Sequence, residues 1–320
     1  MTVSAERSAA AQAPQQRVPD FFIVGHHKSG TTALYEMLRR HPQIYMPDVK
    51  EPRYFAEDLR FQFEPEPSSH LPRTYEEYLS LFAPARPDQR VGEASPSYLK
   101  SHTAAQAIAD VQPAARIIAI LREPASFVRS LQMQLLQEHV ETEADLRKAV
   151  ENEQVTRGAK QVLRYSDHVH YVEQLRRYHT LFGEEQVLVL IYDDFRDDNE
   201  ATVRRVLRFL DVDDKEPIHI MDANPTVRVR SVRLDRLMRK LYARSGPAKV
   251  LNTTLKALVP ERARRRLLRT IRRQVVYGKA QPPDESTMME LRARYRQEVV
   301  ALSEYLDRDL VGLWGYDRVG

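Results

Sequence analysis

The chain has 320 residues, 42% of them hydrophobic and 29% charged, which is enough apolar sequence to bury a full core and too much for global disorder. It has no cysteine, which excludes a disulfide framework, a thiolate metal site and a cysteine nucleophile. The 49 basic and 45 acidic residues leave a net charge of +4, yet 16 basic residues and only two acidic ones fall between Arg228 and Arg273, so this segment carries +14 and the remainder −10.

Residues 1–17 lack the continuous apolar core of a secretory signal. They predict a disordered tail over 1–18, then a single domain over 19–320 in a soluble, cytoplasmic protein. The longest apolar runs, such as Ile117–Leu121 and Val187–Ile191, are far shorter than the roughly 20 residues that a bilayer span needs.

Phe21-Phe22-Ile23-Val24, closed by Gly25, reads as a buried first strand. The loop His26–Gly30 leads into a helix over 31–40, with Leu34, Met37 and Leu38 on one face, which stops before Pro42. The proline-rich stretch 47–72 reads as ordered loop. Thr74, with Glu77 three residues on, predicts a capped helix reaching Phe82. A strand over 90–93, a loop over 94–98 and a helix over 103–111 precede a second buried strand, Arg116–Leu121. Pro124 suits a helix N-terminus, and helices are expected at about 124–138, 142–156 and 167–182. Gln186–Ile191 is a third core strand, followed by a helix over 199–210. No strand is expected after Asp213; the rest reads as helical, with a basic helical segment at 228–275 and a long helix over 284–308. This alternation predicts an α/β fold, a P-loop-like parallel sheet flanked by helices on both faces, with a helical C-terminal part.

Two stretches carry chemistry. Gly25-His26-His27-Lys28-Ser29-Gly30-Thr31-Thr32, between strand and helix, is an anion cradle. Gly30 allows close backbone approach, the hydroxyls of Ser29, Thr31 and Thr32 donate, and Lys28 adds a mobile charge. An ATPase loop places its lysine after the second glycine; here lysine comes two residues before it, and the strand Ile117–Leu121 ends in Arg122 rather than an aspartate. The second stretch is Arg122-Glu123-Pro124 through Arg129-Ser130. Eight positions bring Ser130 about two turns into the helix from the strand end, where a guanidinium and a hydroxyl can clamp a terminal phosphate.

In this order, the two stretches resemble the 5′-phosphosulfate loop and the 3′-phosphate motif of sulfotransferases that use 3′-phosphoadenosine 5′-phosphosulfate (PAPS). The resemblance extends to Lys50-Glu51-Pro52 with Tyr54-Phe55, to Gly92–Tyr98, to Val187–Phe195 and to the terminal Leu291–Trp314. It implies a PAPS-dependent sulfotransferase whose donor, leaving as 3′-phosphoadenosine 5′-phosphate (PAP), is held by Lys28, Ser29, Gly30, Thr31, Thr32, Arg122 and Ser130. Cytosolic aryl and steroid members usually carry tryptophan after Gly-Thr-Thr; here Ala33 stands there, and the K-E-P pattern looks closer to carbohydrate-type and bacterial members. Those cytosolic members also end in a glycine- and arginine-rich 3′-phosphate segment, in whose stead only Arg228 and Arg230 offer themselves.

The reaction implied is in-line displacement at sulfur, with Lys28 stabilising the departing oxygen and a general base serving the acceptor hydroxyl. Glu51 is the base that the resemblance implies; the plainer reading makes it a surface carboxylate paired with Lys50 or Arg53. His70, in His70-Leu71-Pro72, is its rival, because cytosolic relatives use histidine in a similar setting. His26 and His27 are available as substrate or backbone contacts. No cluster has metal-ligand spacing, so no metal is expected. The expected acceptor is a small-molecule, glycan or lipid-linked hydroxyl.

The basic segment has apolar residues Leu234, Leu237, Met238 and Leu241 at helical spacing, and Leu267, Leu268, Ile271 and Val275 repeat the theme. Three roles stay open for it: a core stripe with a solvated basic face, a lid over the acceptor, or a patch resting on anionic membrane. Nucleic acid is not expected, since no aromatics are interleaved for stacking. The alternative function is a P-loop kinase or NTPase using ATP and magnesium, which requires Asp193 or Asp194 to hold the ion.

Overall fold

The computed structural model describes residues 17–59, 71–138, 140–152, 155–156, 162–220, 227–229, 277–279 and 284–319. Backbone contacts divide them into two compact units, one formed by 17–25, 30–120 and 175–220, the other by 26–29, 121–174 and the described residues from 227 on.

The first unit is a sheet with helices. Strand β1 (Phe21–Gly25) is buried throughout its length, as its unbroken apolar run requires. Strand β2 is Ile44–Tyr45, β3 is Arg90–Ala94, β4 is Arg116–Leu121 and β7 is Val187–Ile191; the sheet order is β2-β3-β1-β4-β7. β1 lies parallel to both central neighbours, with Phe21 opposite Gly92 and Arg116, and Gly25 opposite Ile120. β2 runs parallel to β3.

Side chains alternate across the sheet. Phe21 and Ile23 join one core with Leu34 and Leu38 of α1 (Thr31–Leu38), Ile118 and Ile120 of β4, and Val206 and Leu207 of the helix Asn199–Phe209. Phe22 faces the other side, where its ring lies 6.0 Å from Phe55 and 6.5 Å from Tyr98. Helix α2 (Tyr75–Ser80) has the expected capping box: Glu77 N–H donates to Thr74 Oγ1 at 3.1 Å, and the Glu77 carboxylate accepts from Thr74 N at 3.3 Å.

In the second unit, α5 (Pro124–Gln137) packs against α10 (Glu285–Tyr305). Two expectations are corrected here. The helix expected over 142–156 is confined to α6 (Leu146–Asn152); Val155–Thr156 (β5) then pairs antiparallel with Val162–Leu163 (β6), β-branched residues finding a strand partner a few residues on. Two strands do follow Asp213, namely β8 (Val227–Val229) and β9 (Tyr277–Lys279), paired antiparallel with Val227 opposite Lys279. Three residues show no periodicity, and the partner is remote in sequence.

In the first unit, the expected loop at Ser97-Tyr98 is one helical turn, α3 (Ser97–Lys100), because Pro96 already holds helical dihedrals, φ −54° and ψ −33°. The helix expected from 167 begins at Tyr171, after a 3₁₀ turn at Ser166–His168; it is α7 (Tyr171–Phe182). Of the tail expected over 1–18, residues 1–16 lie outside the described residues, as does nearly all of the basic segment 228–275, whereas Arg17 is anchored by bonds to Asp20 at 3.2 Å and Gln89 O at 2.9 Å. Among the described residues, no helix is long and apolar enough to cross a membrane.

Candidate functional site

Parallel pairing sets the C-terminal ends of β1 and β4 side by side, and each strand runs straight into one of the two anion motifs. The β1 loop needs its glycines. Gly30 has φ +86°, and a Cβ there would sit 2.9 Å from the Phe195 ring; at Gly25, φ +139°, it would meet Ile120 O at 2.7 Å. Lys28 between them also has positive φ, 64°, an uncommon conformation for a residue with a side chain.

Within the second unit the two motifs are joined. Arg122 Nη1 donates to the Lys28 carbonyl at 2.7 Å. Burial first, and the Arg122 charge second, pull the Lys28 pKa down, with Glu138 opposing. Burial and Arg122 act in the same direction on Arg129. Arg122 thus repels two neighbouring cations, Lys28 and Arg129, an arrangement that a polyanion relieves. Ser29 and Ser130 are buried, and neither hydroxyl has a hydrogen-bond partner among the described residues. Unmet buried hydroxyls are uncommon and costly, so their presence beside this charge fits a phosphate-bearing group.

Other residues brace these motifs. Glu123 caps α5, accepting from Ala125 N at 2.9 Å and Ser126 N at 2.7 Å, and it also accepts from Tyr316 Oη at 2.6 Å. Tyr171 Oη donates to the Arg122 carbonyl at 3.0 Å. The same Tyr171 ring lies 4.3 Å from the His26 ring, whose other neighbour is Phe127 at 4.9 Å. His26 Nε2 pairs with Gln174 Oε1 at 3.1 Å. Burial pushes the His26 pKa down to about 3, against the hydrogen bond to Gln174. His26 is therefore a neutral, buried brace of the loop and not a solvent-facing substrate contact.

The Glu51 turn belongs to the first unit. Both Glu51 and Arg53 have positive φ, 60° and 54°. Glu51 N–H donates to Ala94 O at 3.1 Å, and Arg53 N–H to Ser95 Oγ at 3.1 Å. Lys50 Nζ reaches Glu51 Oε1 and Arg53 Nη2 reaches Oε2, each at 2.5 Å. Both pairings of the plainer reading therefore exist, together, on a half-buried carboxylate.

Sequence reasoning missed the group beneath this turn. Glu93 of β3 is fully buried and accepts from Ser95 Oγ at 2.5 Å, Tyr78 Oη at 2.7 Å and Tyr98 Oη at 3.1 Å. Burial pushes its pKa up to about 7; the three hydroxyls oppose the rise and the Glu51 charge adds to it. The available signal was an acid inside an otherwise apolar strand, next to Ser95 and Tyr98. Thr31 is buried at the start of α1 and Thr32 exposed. His70 and Arg230 fall outside the described residues, and of Arg228 only the backbone, in β8, is described. Asp193, a magnesium ligand in the kinase reading, pairs with Arg196 at 3.0 Å. No group of three His, Asp or Glu residues able to hold a metal ion occurs among the described residues.

The fold and motifs have known counterparts. A sulfotransferase from Alicyclobacillus acidocaldarius superposes with a TM-score of 0.67 at 25% identity, covering 93% of this chain and 99% of that one. The membrane-associated sulfotransferase kil1 of Dictyostelium discoideum is 32% identical over 107 residues, 33% of this chain and 21% of that protein. Bifunctional heparan sulfate N-deacetylase/N-sulfotransferase 4 of Mus musculus is 32% identical over 110 residues, 34% of this chain and 12% of that protein. The chain thus matches about a fifth or less of the length of these two relatives. The model of the sulfotransferase family matches residues 19–216, well over half of the chain. With that match over most of its length, the chain belongs to the sulfotransferase family.

Proposed function

We propose that this chain transfers a sulfuryl group from PAPS to a hydroxyl of a carbohydrate, lipid-linked or secondary-metabolite acceptor, and that residues 19–320 serve it as one domain. The observation that carries this reading is the bond from Arg122 to the Lys28 carbonyl, which joins the two anion motifs beside the unpartnered hydroxyls of Ser29 and Ser130. A carbohydrate acceptor is favoured because one matched relative carries heparan sulfate in its name.

Bound there, the donor supplies a sulfuryl group on a phosphate leaving group. The chain's residues then divide the work. Ser29, Gly30, Thr31 and Thr32 hold the 5′-phosphosulfate end through hydroxyls and amides, and Arg122 with Ser130 holds the 3′-phosphate. Lys28 sets its ammonium against the negative charge that grows on the departing oxygen. Glu51 takes the proton of the acceptor hydroxyl, for which one of its two cation pairs must open.

Calorimetric titration with PAP, ADP and magnesium-ATP tests the donor. Magnesium-free preference for PAP over ADP is expected, with Arg122→Ala weakening PAP by about 10- to 100-fold, the worth of a charge-assisted contact. Equal binding of PAP and ADP, or a magnesium requirement, would discard PAPS and restore the kinase reading.

A further inference from the structure

We propose that Glu93, acting through Ser95 and Tyr98, is a positioning residue that fixes the turn carrying Glu51. The inference rests on the reading of Glu51 as the base, and it adds a group for which that reading gives no role.

The geometry is a two-armed relay. Ser95 Oγ donates to Glu93 Oε1 at 2.5 Å and accepts from Arg53 N at 3.1 Å. Tyr98 Oη donates to Glu93 Oε2 at 3.1 Å and accepts from Phe55 N at 3.3 Å. Each hydroxyl has one proton. Committing it to the carboxylate turns the oxygen's lone pairs towards the main-chain amide of the turn. The buried carboxylate therefore dictates the direction of both hydroxyls, and they dictate where Arg53 and Phe55 sit. Glu51 lies two residues before the first of these amides, and its own N–H is held by Ala94 O.

The turn needs such restraint. Glu51 and Arg53 both occupy the left-handed region, which residues with side chains rarely adopt and which persists only where surrounding contacts over-determine it. A third donor serves as an internal control: Tyr78 Oη bonds Glu93 Oε2 at 2.7 Å, and no bond links that hydroxyl to the turn's amides. A buried acid in a strand is costly to keep. Here that cost is matched by a carboxylate that accepts from three hydroxyls, two of which pass the constraint on.

The test combines amide hydrogen exchange over residues 51–56 with PAP release from PAPS, water serving as acceptor, in the full-length chain. Ser95→Ala should speed exchange at Arg53, and Tyr98→Phe at Phe55, by about 3- to 10-fold, the worth of one hydrogen bond. Glu93→Gln should speed both. Each should lower kcat by about tenfold or more while leaving KM for PAPS unchanged, as misplacement of a catalytic group does. Tyr78→Phe also removes one bond to Glu93, yet should keep the exchange of both amides at the parent's rate. Equal acceleration in Tyr78→Phe, or unchanged exchange in Ser95→Ala and Tyr98→Phe, would overturn the relay. So would faster exchange with parental kcat. Glu51→Gln run beside them separates the two readings: parental release in Glu51→Gln removes Glu51 as base, whereas a dead Glu51→Gln with a parental Ser95→Ala overturns only the positioning role.

Discussion

The loop around Lys28 and the turn around Glu51 both contain positive-φ residues and buried polar groups, but they treat those groups in opposite ways. At the loop and the helix that follows Arg122, two buried hydroxyls, Ser29 and Ser130, have no hydrogen-bond partner among the described residues, and the Arg122 charge acts on both Lys28 and Arg129. At the turn, every carboxylate oxygen of Glu51 and Glu93 accepts at least one hydrogen bond from the protein. The difference separates a place built to receive something from a place built to hold something still. Hydroxyls without a partner and cations that repel one another are stabilised by an incoming anion; carboxylates whose oxygens already accept from the protein give rigidity instead.

The comparison breaks most sharply at Glu51. If the turn serves catalysis and the loop binding, Glu51→Gln should cut turnover by about 10²- to 10⁴-fold, the usual worth of a general base, with PAP affinity at the parental value. Turnover assays beside calorimetry decide this. A loss confined to PAP affinity would move Glu51 to the donor side and erase the division.

The Glu93 network also has a pH signature. Glu93 binds its proton more tightly folded than unfolded, from 4.5 up to about 7. A raised acid pKa gives stability that is complete below the unfolded value and lost as pH rises through the folded one. Between pH 4.5 and 7 this lowers the parent's stability by up to about 3 kcal/mol. Denaturant unfolding of the parent and Glu93→Gln across that window should show the variant gaining on the parent as pH rises. Parallel curves would mean that Glu93 titrates normally and that its burial carries no electrostatic tension. His26 acts in the opposite sense: its depressed pKa gives stability that is present above 6.5 and lost as pH falls towards 3, so it is the difference between the two chains that isolates Glu93.

The loop was legible in the sequence because its parts are neighbours in the chain. Lys28, Ser29 and Gly30 are consecutive, and Arg122 and Ser130 are linked by a strand end and two helical turns, so spacing suggests anion binding and the donor roles come from the resemblance. β1, β4 and β7 were legible for a related reason, since a buried strand writes a continuous apolar run. The bracing was not. Gln174 meets His26 across 148 positions, and Tyr316 meets Glu123 across 193. Glu93 is worse placed for prediction: its one mark is an acid within a short strand beside Ser95 and Tyr98, and its partner Tyr78 comes from a separate helix. The short strands β8 and β9 failed to show for the same cause, because three residues become a strand only when a distant partner arrives.

The smallest expected effect tests the comparison from the side of the unspent groups. Ser29→Ala and Ser130→Ala each remove a buried hydroxyl that has no partner among the described residues. Deleting such a group leaves stability unchanged or raises it by up to about 1 kcal/mol, because only a desolvation cost is lost. Ser95→Ala deletes a hydroxyl of similar burial that has two partners, and should instead cost about 1–3 kcal/mol by stranding a carboxylate oxygen and an amide. Binding should reverse the ranking: PAP affinity falls about tenfold in Ser29→Ala and in Ser130→Ala, and stays at the parental value in Ser95→Ala. Thermal unfolding with and without PAP reads both quantities in one experiment, since a ligand that binds only the folded chain raises Tm according to its affinity. If Ser29→Ala or Ser130→Ala destabilises the free protein as Ser95→Ala does, its hydroxyl is already spent on the fold, and the loop is no more a receiving site than the turn is.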